Sequence, residues 1–329
     1  MRERCYFLPL NENLTLERAK ELLGKDYSFI PNSLVKYNSN EDEYRHINTW
    51  NNIGETKVFQ DTIRYFLAEG TMEVKSGLLV DNSGNLKEKR FRINQINVTA
   101  IFLEIEISPN TKRMCALIEG SENYIKNVKA HLFGARREVE DKTLKEEWGI
   151  NKKEDAFFKF KDDFFSWVMI KNEEKENCGE MQILDINHIY DIHSEHSREH
   201  KMNGDGILND LLSSVALILE PNFLSLGFLI NDVFGEFDFI LTSTGNIELK
   251  DTSYLKNIAG EIIPLDETNK IEGYVIIYGR IIPALIKLYY KDSLEYTFGN
   301  KKKEFLNKKA QEAIEGLNKL LSNNLKENQ

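Results

Sequence analysis

Two spacings of apolar residues run along this chain, and each predicts a different element. Residues 98–107, VTAIFLEIEI, alternate, with Ile101, Leu103, Ile105 and Ile107 on one side and Phe102, Glu104 and Glu106 on the other. That period of two predicts a strand. Pro109 and Asn110 turn the chain into a second strand over 113–118, and CYFLPL at 5–10 reads as a short strand. Helical spacing takes over at 16–23, with Thr15 at the N-cap and Gly24 just past the end. Ser121 caps a further helix that runs to Leu132 and stops at Gly134. Val58, Phe59, Ile63, Phe66 and Leu67 predict a helix over 56–68, and the Asn-, Ser- and Glu-rich stretch 31–52 predicts a loop. Asp81-Asn82-Ser83-Gly84-Asn85 lies between strand-like arms, which predicts a hairpin.

In the second half, Phe157, Phe158, Phe160, Phe164, Phe165 and Trp167 form an aromatic cluster that reads as core. Residues 207–219 are apolar at helical spacing and Pro221 stops them. LSLGFLI and then EFDFILTSTGNIELKD predict three strands, with turns at 231–232 and 243–246. The most apolar run, 274–290, is shorter than the about 20 residues of a membrane span and holds Arg280, Pro283 and Lys287. It predicts a buried helix kinked at Pro283. Leu306, Ala310, Ala313, Ile314, Leu317, Leu320, Leu321 and Leu325 predict a long amphipathic helix that lies on the body or on a partner, and so offers an oligomer contact. Together these elements predict an α+β fold: antiparallel sheets with packed helices in two subdomains, 1–135 and 155–329, joined by a charged connector at 136–154.

Composition narrows the function classes. With 43 Lys+Arg against 53 Asp+Glu, a net charge of −10 excludes a uniformly basic nucleic-acid coat. The basic residues nevertheless gather, at Lys87, Lys89, Arg90 and Arg92 around Phe91, at Arg136 and Arg137, and at Lys301 to Lys303 with Lys308 and Lys309. Such patches predict local nucleic-acid contact. Cys5, Cys115 and Cys178 are odd in number and hold no CxxC pair, which fits inert thiols in a reducing cytoplasm. The start carries no apolar run long enough for a signal peptide. GxxxxGK[ST], GxGxxG and GxSxG are all missing from the sequence. Abundant Lys, Asn, Ile and Glu fit a low-GC microbial source, and the lack of housekeeping motifs associates the chain with host–phage conflict, as a component of an antiviral defence system.

Two constellations carry chemistry. Asp238 falls on one arm of the 237–250 hairpin and Glu248-Leu249-Lys250 on the other, after a helix and a strand. Two carboxylates can hold Mg²⁺ beside a scissile phosphate, while a lysine orients the attacking water and steadies developing charge. This α-β-β-β order with Asp, Glu and Lys resembles the core of PD-(D/E)xK nucleases over residues 205–255. The resemblance implies Asp238 and Glu248 as metal ligands, Lys250 as the catalytic base or electrostatic partner, and DNA or RNA as substrate. Six (D/E)xK triplets occur in the chain, starting at Glu55, Glu73, Glu140, Glu173, Glu199 and Glu248, so the hairpin context singles out the last. The second constellation is histidine-rich. His188, His193, His196 and His200 cluster, and His196-Ser197-Arg198-Glu199-His200 has the HxxEH spacing of inverted zinc peptidases, which on a helix would align His193, His196 and His200. The sequence therefore predicts a macromolecular-interaction protein that binds nucleic acid or protein, with a Mg²⁺-dependent nuclease as the enzymatic alternative and no membrane partner.

Overall fold

A computed structural model describes residues 4–34, 44–59, 62–78, 80–83, 85–108, 111–136, 138–139, 141–150, 159–160, 162–193, 198–218, 222–257, 259–294 and 296–327. The chain divides into two compact units, Met1–Asp155 and Ala156–Gln329. Both are α+β, built on antiparallel sheet, and a long helix ends the second.

Unit 1 comprises β1 (Arg4–Pro9), α1 (Leu16–Leu23), β2 (Asn48–Ile53), β3 (Lys57–Phe59), β4 (Ile63–Lys75), a single helical turn α2 (Lys89–Arg92), β5 (Ile93–Ser108), β6 (Thr111–Gly120), α3 (Glu122–Leu132) and α4 (Thr143–Trp148). The strand order is β2-β4-β5-β6-β1, with β3 on β4 and every neighbouring pair antiparallel. Both expected helix caps form: Thr15 Oγ1 accepts from the Arg18 N–H at 3.2 Å and Ser121 Oγ from the Tyr124 N–H at 3.3 Å. Each satisfies a donor that the first helical turn leaves without an intrahelical partner. Phe66, Ala68, Met72, Ala100, Phe102 and Ala116 on the strands meet Leu16, Ala19, Leu22, Val128, Leu132, Leu144 and Trp148 of the helices in one core. The Trp148 indole N–H donates to the Tyr27 hydroxyl at 2.8 Å, and that hydroxyl donates to the Leu22 carbonyl at 2.7 Å, so two buried polar groups satisfy each other.

Three expectations fail in this unit. The helix expected over 56–68 is replaced by β3 and the start of β4. Its apolar spacing runs across the reversal between β3 and β4, which pair antiparallel, whereas within β4 the buried set Phe66, Ala68 and Met72 keeps a strand's parity, as Gly70 does. The loop expected over 31–52 holds β2, whose backbone pairs with β4 despite its run of Asn residues. At the expected hairpin 81–85, the turn forms as a lone bridge between Val80 and Leu86, and Asp81 Oδ1 accepts from Ser83 and Asn85. The second arm is the helical turn α2 instead of a strand. Within the charged run 136–154, Leu144 and Trp148 are fully buried, so α4 is part of unit 1.

Unit 2 comprises α5 (Asp162–Glu174), β7 (Asn177–Cys178), β8 (Met181–His193), β9 (Arg198–Asn203), a single 3₁₀ turn at 207–209, α6 (Leu211–Ile218), β10 (Asn222–Asp232), β11 (Gly235–Thr242), β12 (Ile247–Leu249), β13 (Tyr254–Lys256), β14 (Ile262–Pro264), α7 (Lys270–Ile276), α8 (Ile282–Leu294) and α9 (Tyr296–Glu327). The strand order is β12-β11-β10-β8-β7, with β9 on β8 and β13 on both β11 and β14. Phe237, Phe239 and Leu241 of β11 are fully buried on one face with Phe228, Ile230 and Ile186, and α5 lies on β8 and β10. Phe164, Phe165 and Trp167 of the aromatic cluster are buried there, whereas Phe157 and Phe158 lie outside the described residues. A π-helical turn, Ile277–Ile281, joins α7 to α8 immediately before Pro283. Proline has no N–H for the usual α-helical bond, and the widened turn absorbs the missing donor without ending the helix.

Candidate functional site on the sheet of unit 2

Register decides whether the hairpin carboxylates can meet. In the β11–β12 pair Ile240 faces Glu248, so Asp238 is two residues along from Ile240 and Lys250 two along from Glu248. Even spacing keeps a residue on its face, which places Asp238, Glu248 and Lys250 on the same side of the sheet, opposite Phe237 and Phe239. Lys250 Nζ lies 3.1 Å from Asp238 Oδ1, and the Lys250 backbone N–H donates to the Asp238 carbonyl at 2.9 Å.

Further side chains complete the cluster. Asn187 Nδ2 donates to Asp238 Oδ1 at 2.9 Å while Asn187 Oδ1 accepts from Lys250 Nζ at 2.8 Å, so the amide bridges the ion pair. The Thr252 hydroxyl donates to Asp238 Oδ2 at 2.8 Å, and Ser253 Oγ accepts from the Asp238 N–H at 2.9 Å. Next along β8, His188 Nδ1 stands 2.7 Å from Asn203 Oδ1 and Nε2 stands 3.0 Å from Ser225 Oγ. The amide oxygen fixes the ring proton on Nδ1, leaving Nε2 to accept from Ser225. Burial holds the His188 ring below the usual histidine range, so it is neutral at pH 7.

A pair of bulges in β8 makes this possible. Ile183, Ile186 and Ile189 recur every third residue yet face Ile230, Phe228 and Leu226, which recur every second. Asn187 and His188, adjacent in sequence, therefore both lie beside Gly227: a Cβ there would stand 2.9 Å from Asn187 Oδ1 and 2.7 Å from His188 Cβ. Sequence reasoning missed Asn187, Asn203, Ser225 and Thr252. The three-residue isoleucine spacing was the signal available for Asn187.

This arrangement is poorly suited to a divalent cation. Asp238 Oδ1 already accepts from an ammonium and an amide, and Oδ2 from a hydroxyl, so Lys250 occupies the place a cation would take. Among the described residues no group of three His, Cys, Asp or Glu side chains is placed to hold a metal. The strand after Lys250, β13, pairs antiparallel with β11. The histidine constellation also changes character. Residues 198–203 form β9, with His200 opposite Asp191 and Arg198 opposite His193, so the helix that would align His193, His196 and His200 is replaced by a strand pair. His196 lies outside the described residues.

Most of the basic residues in the patches have internal partners. Lys89 Nζ contacts the Arg45 carbonyl at 2.7 Å and Glu73 at 2.9 Å, while Arg92 is buried with its Nε bonded to the Lys87 carbonyl. Arg90 pairs with Glu88 and lies over Phe91. Arg136 pairs with Glu138, contacts His131 Nε2 at 3.2 Å and lies over the Phe29 ring, and Arg137 lies outside the described residues. In unit 2, Lys301, Lys302 and Lys308 pair with Glu174, Asp163 and Glu173, and Lys309 is fully buried. The three cysteines are buried and form no disulfide, and burial pushes the Cys178 thiol up to about 11. Among the described residues no helix is long and apolar enough to cross a membrane.

The class that fold and site define is a two-unit α+β protein with a partly buried polar cluster on the strands of its second unit. In comparison with known proteins, no family model, curated protein or solved structure matches the chain.

Proposed function

We propose that this chain is a macromolecular-interaction protein that works by protein contact, with the outer face of α9 as its docking element. One observation carries the reading: Ile314, Leu317, Leu320 and Leu321 are about half exposed or more, on the same helix whose inner residues Phe305, Lys309 and Ala313 are buried against unit 2. A row of large aliphatic side chains left in water is a surface that gains by being covered. Nucleic acid fits less well as the partner, because most of the basic residues expected to bind phosphate contact internal carboxylates and carbonyls. The test is a photoreactive amino acid, p-benzoylphenylalanine, placed at position 317 in the producing cells, beside a control at exposed Glu304. Crosslinks to protein at 317 and not at 304 support the reading. No crosslink above the control, or crosslinks to nucleic acid, would sink it.

A second reading, phosphodiester cleavage of the PD-(D/E)xK kind, is favoured by the shared face of Asp238, Glu248 and Lys250. It requires Lys250 to release Asp238 when Mg²⁺ enters. Plasmid and RNA incubated with Mg²⁺ or Mn²⁺ would be cut by the parent chain and left intact by Glu248→Ala and Lys250→Ala. Absence of metal-dependent cutting, or equal cutting by the variants, removes this reading.

A further inference from the structure

From the far end of α9 we infer that the partner is a second copy of this chain, paired helix to helix in two-fold antiparallel fashion about Leu317; the inference rests on the docking reading above. The helix is supported only along part of its length. Phe305, Lys309 and Ala313 are buried, Lys309 Nζ bonds the Leu208 carbonyl at 2.9 Å, and Gly316 lies against Leu211, where a Cβ would stand 2.9 Å from Cδ1. Past that contact every residue from 317 to 323 is exposed. The helix backbone continues to Glu327, about 16 Å past Gly316 at 1.5 Å per residue. A helical end of this length is marginal in water without packing.

What covers it follows from spacing and charge. Ala310, Ile314, Leu317 and Leu321 follow one another at steps of four, three and four, the seam spacing of paired helices. Gln311 and Asn318 flank that seam on the side away from the body, and Lys308, Glu315 and Lys319 fall farther round the helix by helical spacing. A two-fold axis sets a surface against itself, so a seam with a charge of one sign would repel its own copy. This seam is neutral. An antiparallel pairing centred beside Leu317 sets Ile314 of one copy against Leu321 of the other and keeps the two bodies at opposite ends of the contact.

Area sets the strength. Ile314, Leu317, Leu320 and Leu321 are 60%, 48%, 52% and 60% exposed. That leaves roughly 400 Å² per copy and about 800 Å² for the pair, below the range of tight complexes. Association is therefore expected at micromolar concentration, as a reversible dimer.

Sedimentation velocity over a hundredfold concentration range tests this with the full chain. The parent protein should pass from monomer to dimer, and Leu317→Glu with Leu321→Glu should weaken association at least about a hundredfold while leaving the circular dichroism melt in place, because neither side chain is buried. A parent chain that stays monomeric at several hundred micromolar overturns the inference, as does a double variant that dimerises equally well. The two levels separate cleanly. If the residue-317 photocrosslink captures a different protein and never a second copy, the self-pairing falls and the docking reading stands; if it captures nothing, both fall.

Discussion

Acid should weaken unit 1 through His131. The ring is buried, 2% exposed, between Asn48 Oδ1 at 3.2 Å and the Arg136 guanidinium at 3.2 Å. Burial, then the Arg136 and His46 charges, push its pKa from 6.5 down to about 3. A base whose folded pKa is depressed is neutral in the fold and takes its proton on unfolding, so the unfolded state binds more protons between those two values. The stability it supports is fully present above pH 6.5 and is lost as pH falls below it. At pH 5 the unfolded ring is almost wholly protonated and the folded ring is not. The loss is then set by the unfolded pKa alone, 1.5 pH units at about 1.4 kcal/mol each, or about 2 kcal/mol. His46 is shifted downward by burial as well and adds in the same direction. Urea unfolding at pH 7 and pH 5, followed by Trp50 and Trp148 fluorescence in a Trp167→Phe background, reads unit 1 alone. The parent should lose at least that amount between the two pH values, and His131→Gln, though less stable at pH 7, should lose about 2 kcal/mol less. An unchanged pH difference in His131→Gln, or a His131 ring proton titrating near 6.5 in the folded protein by NMR, would refute the reasoning.

Other consequences are open to simpler checks. Lys250→Met leaves the Asp238 carboxylate in its buried place without a counter-ion and should cost about 2–4 kcal/mol by chemical denaturation, whereas Lys250→Met combined with Asp238→Asn should recover part of that loss. Gly227→Ala drives a methyl into His188 Cβ and Asn187 Oδ1 and should destabilise unit 2 by about 1–3 kcal/mol, with His188 ring resonances shifted. Removing the helix cap with Thr15→Ala should cost about 1 kcal/mol and speed amide exchange in the first turn of α1. Loss of neither stability nor protection there would mean the cap bond is idle in solution.

Much of the architecture was legible because single residues settle local geometry. Thr15 and Ser121 each announced a helix start, and the alternation of 98–107 and of Phe237, Phe239 and Leu241 announced strands whose faces the fold then used. The failures share a cause. Between 56 and 75 the chain turns a corner, and apolar residues counted across a corner acquire a spacing that belongs to neither side of it. In β2 the Asn residues favour turns by their own side-chain chemistry, yet pairing with β4 and the buried Trp50 outweigh that local preference.

The candidate site shows the same division more sharply. Asp238, Glu248 and Lys250 lie on adjacent strands, where two-residue parity is enough to predict a shared face, and the Ile240–Glu248 register gives them one. Asn187 comes from 51 residues upstream of Asp238 and reaches it only because β8 is bulged; no periodicity of two or of 3.6 anticipates side chains 187 and 188 projecting together. Yet Asn187 changes what the carboxylate can do. Bridging Asp238 to Lys250, it ties the ion pair into one hydrogen-bonded unit, which stabilises the sheet and at the same time withholds the carboxylate from a metal. Asn187→Ala separates these effects. If the cluster is structural alone, the variant loses stability and gains nothing; if Asp238 is a ligand held in reserve, the variant gains Mn²⁺ affinity by calorimetry as its stability falls.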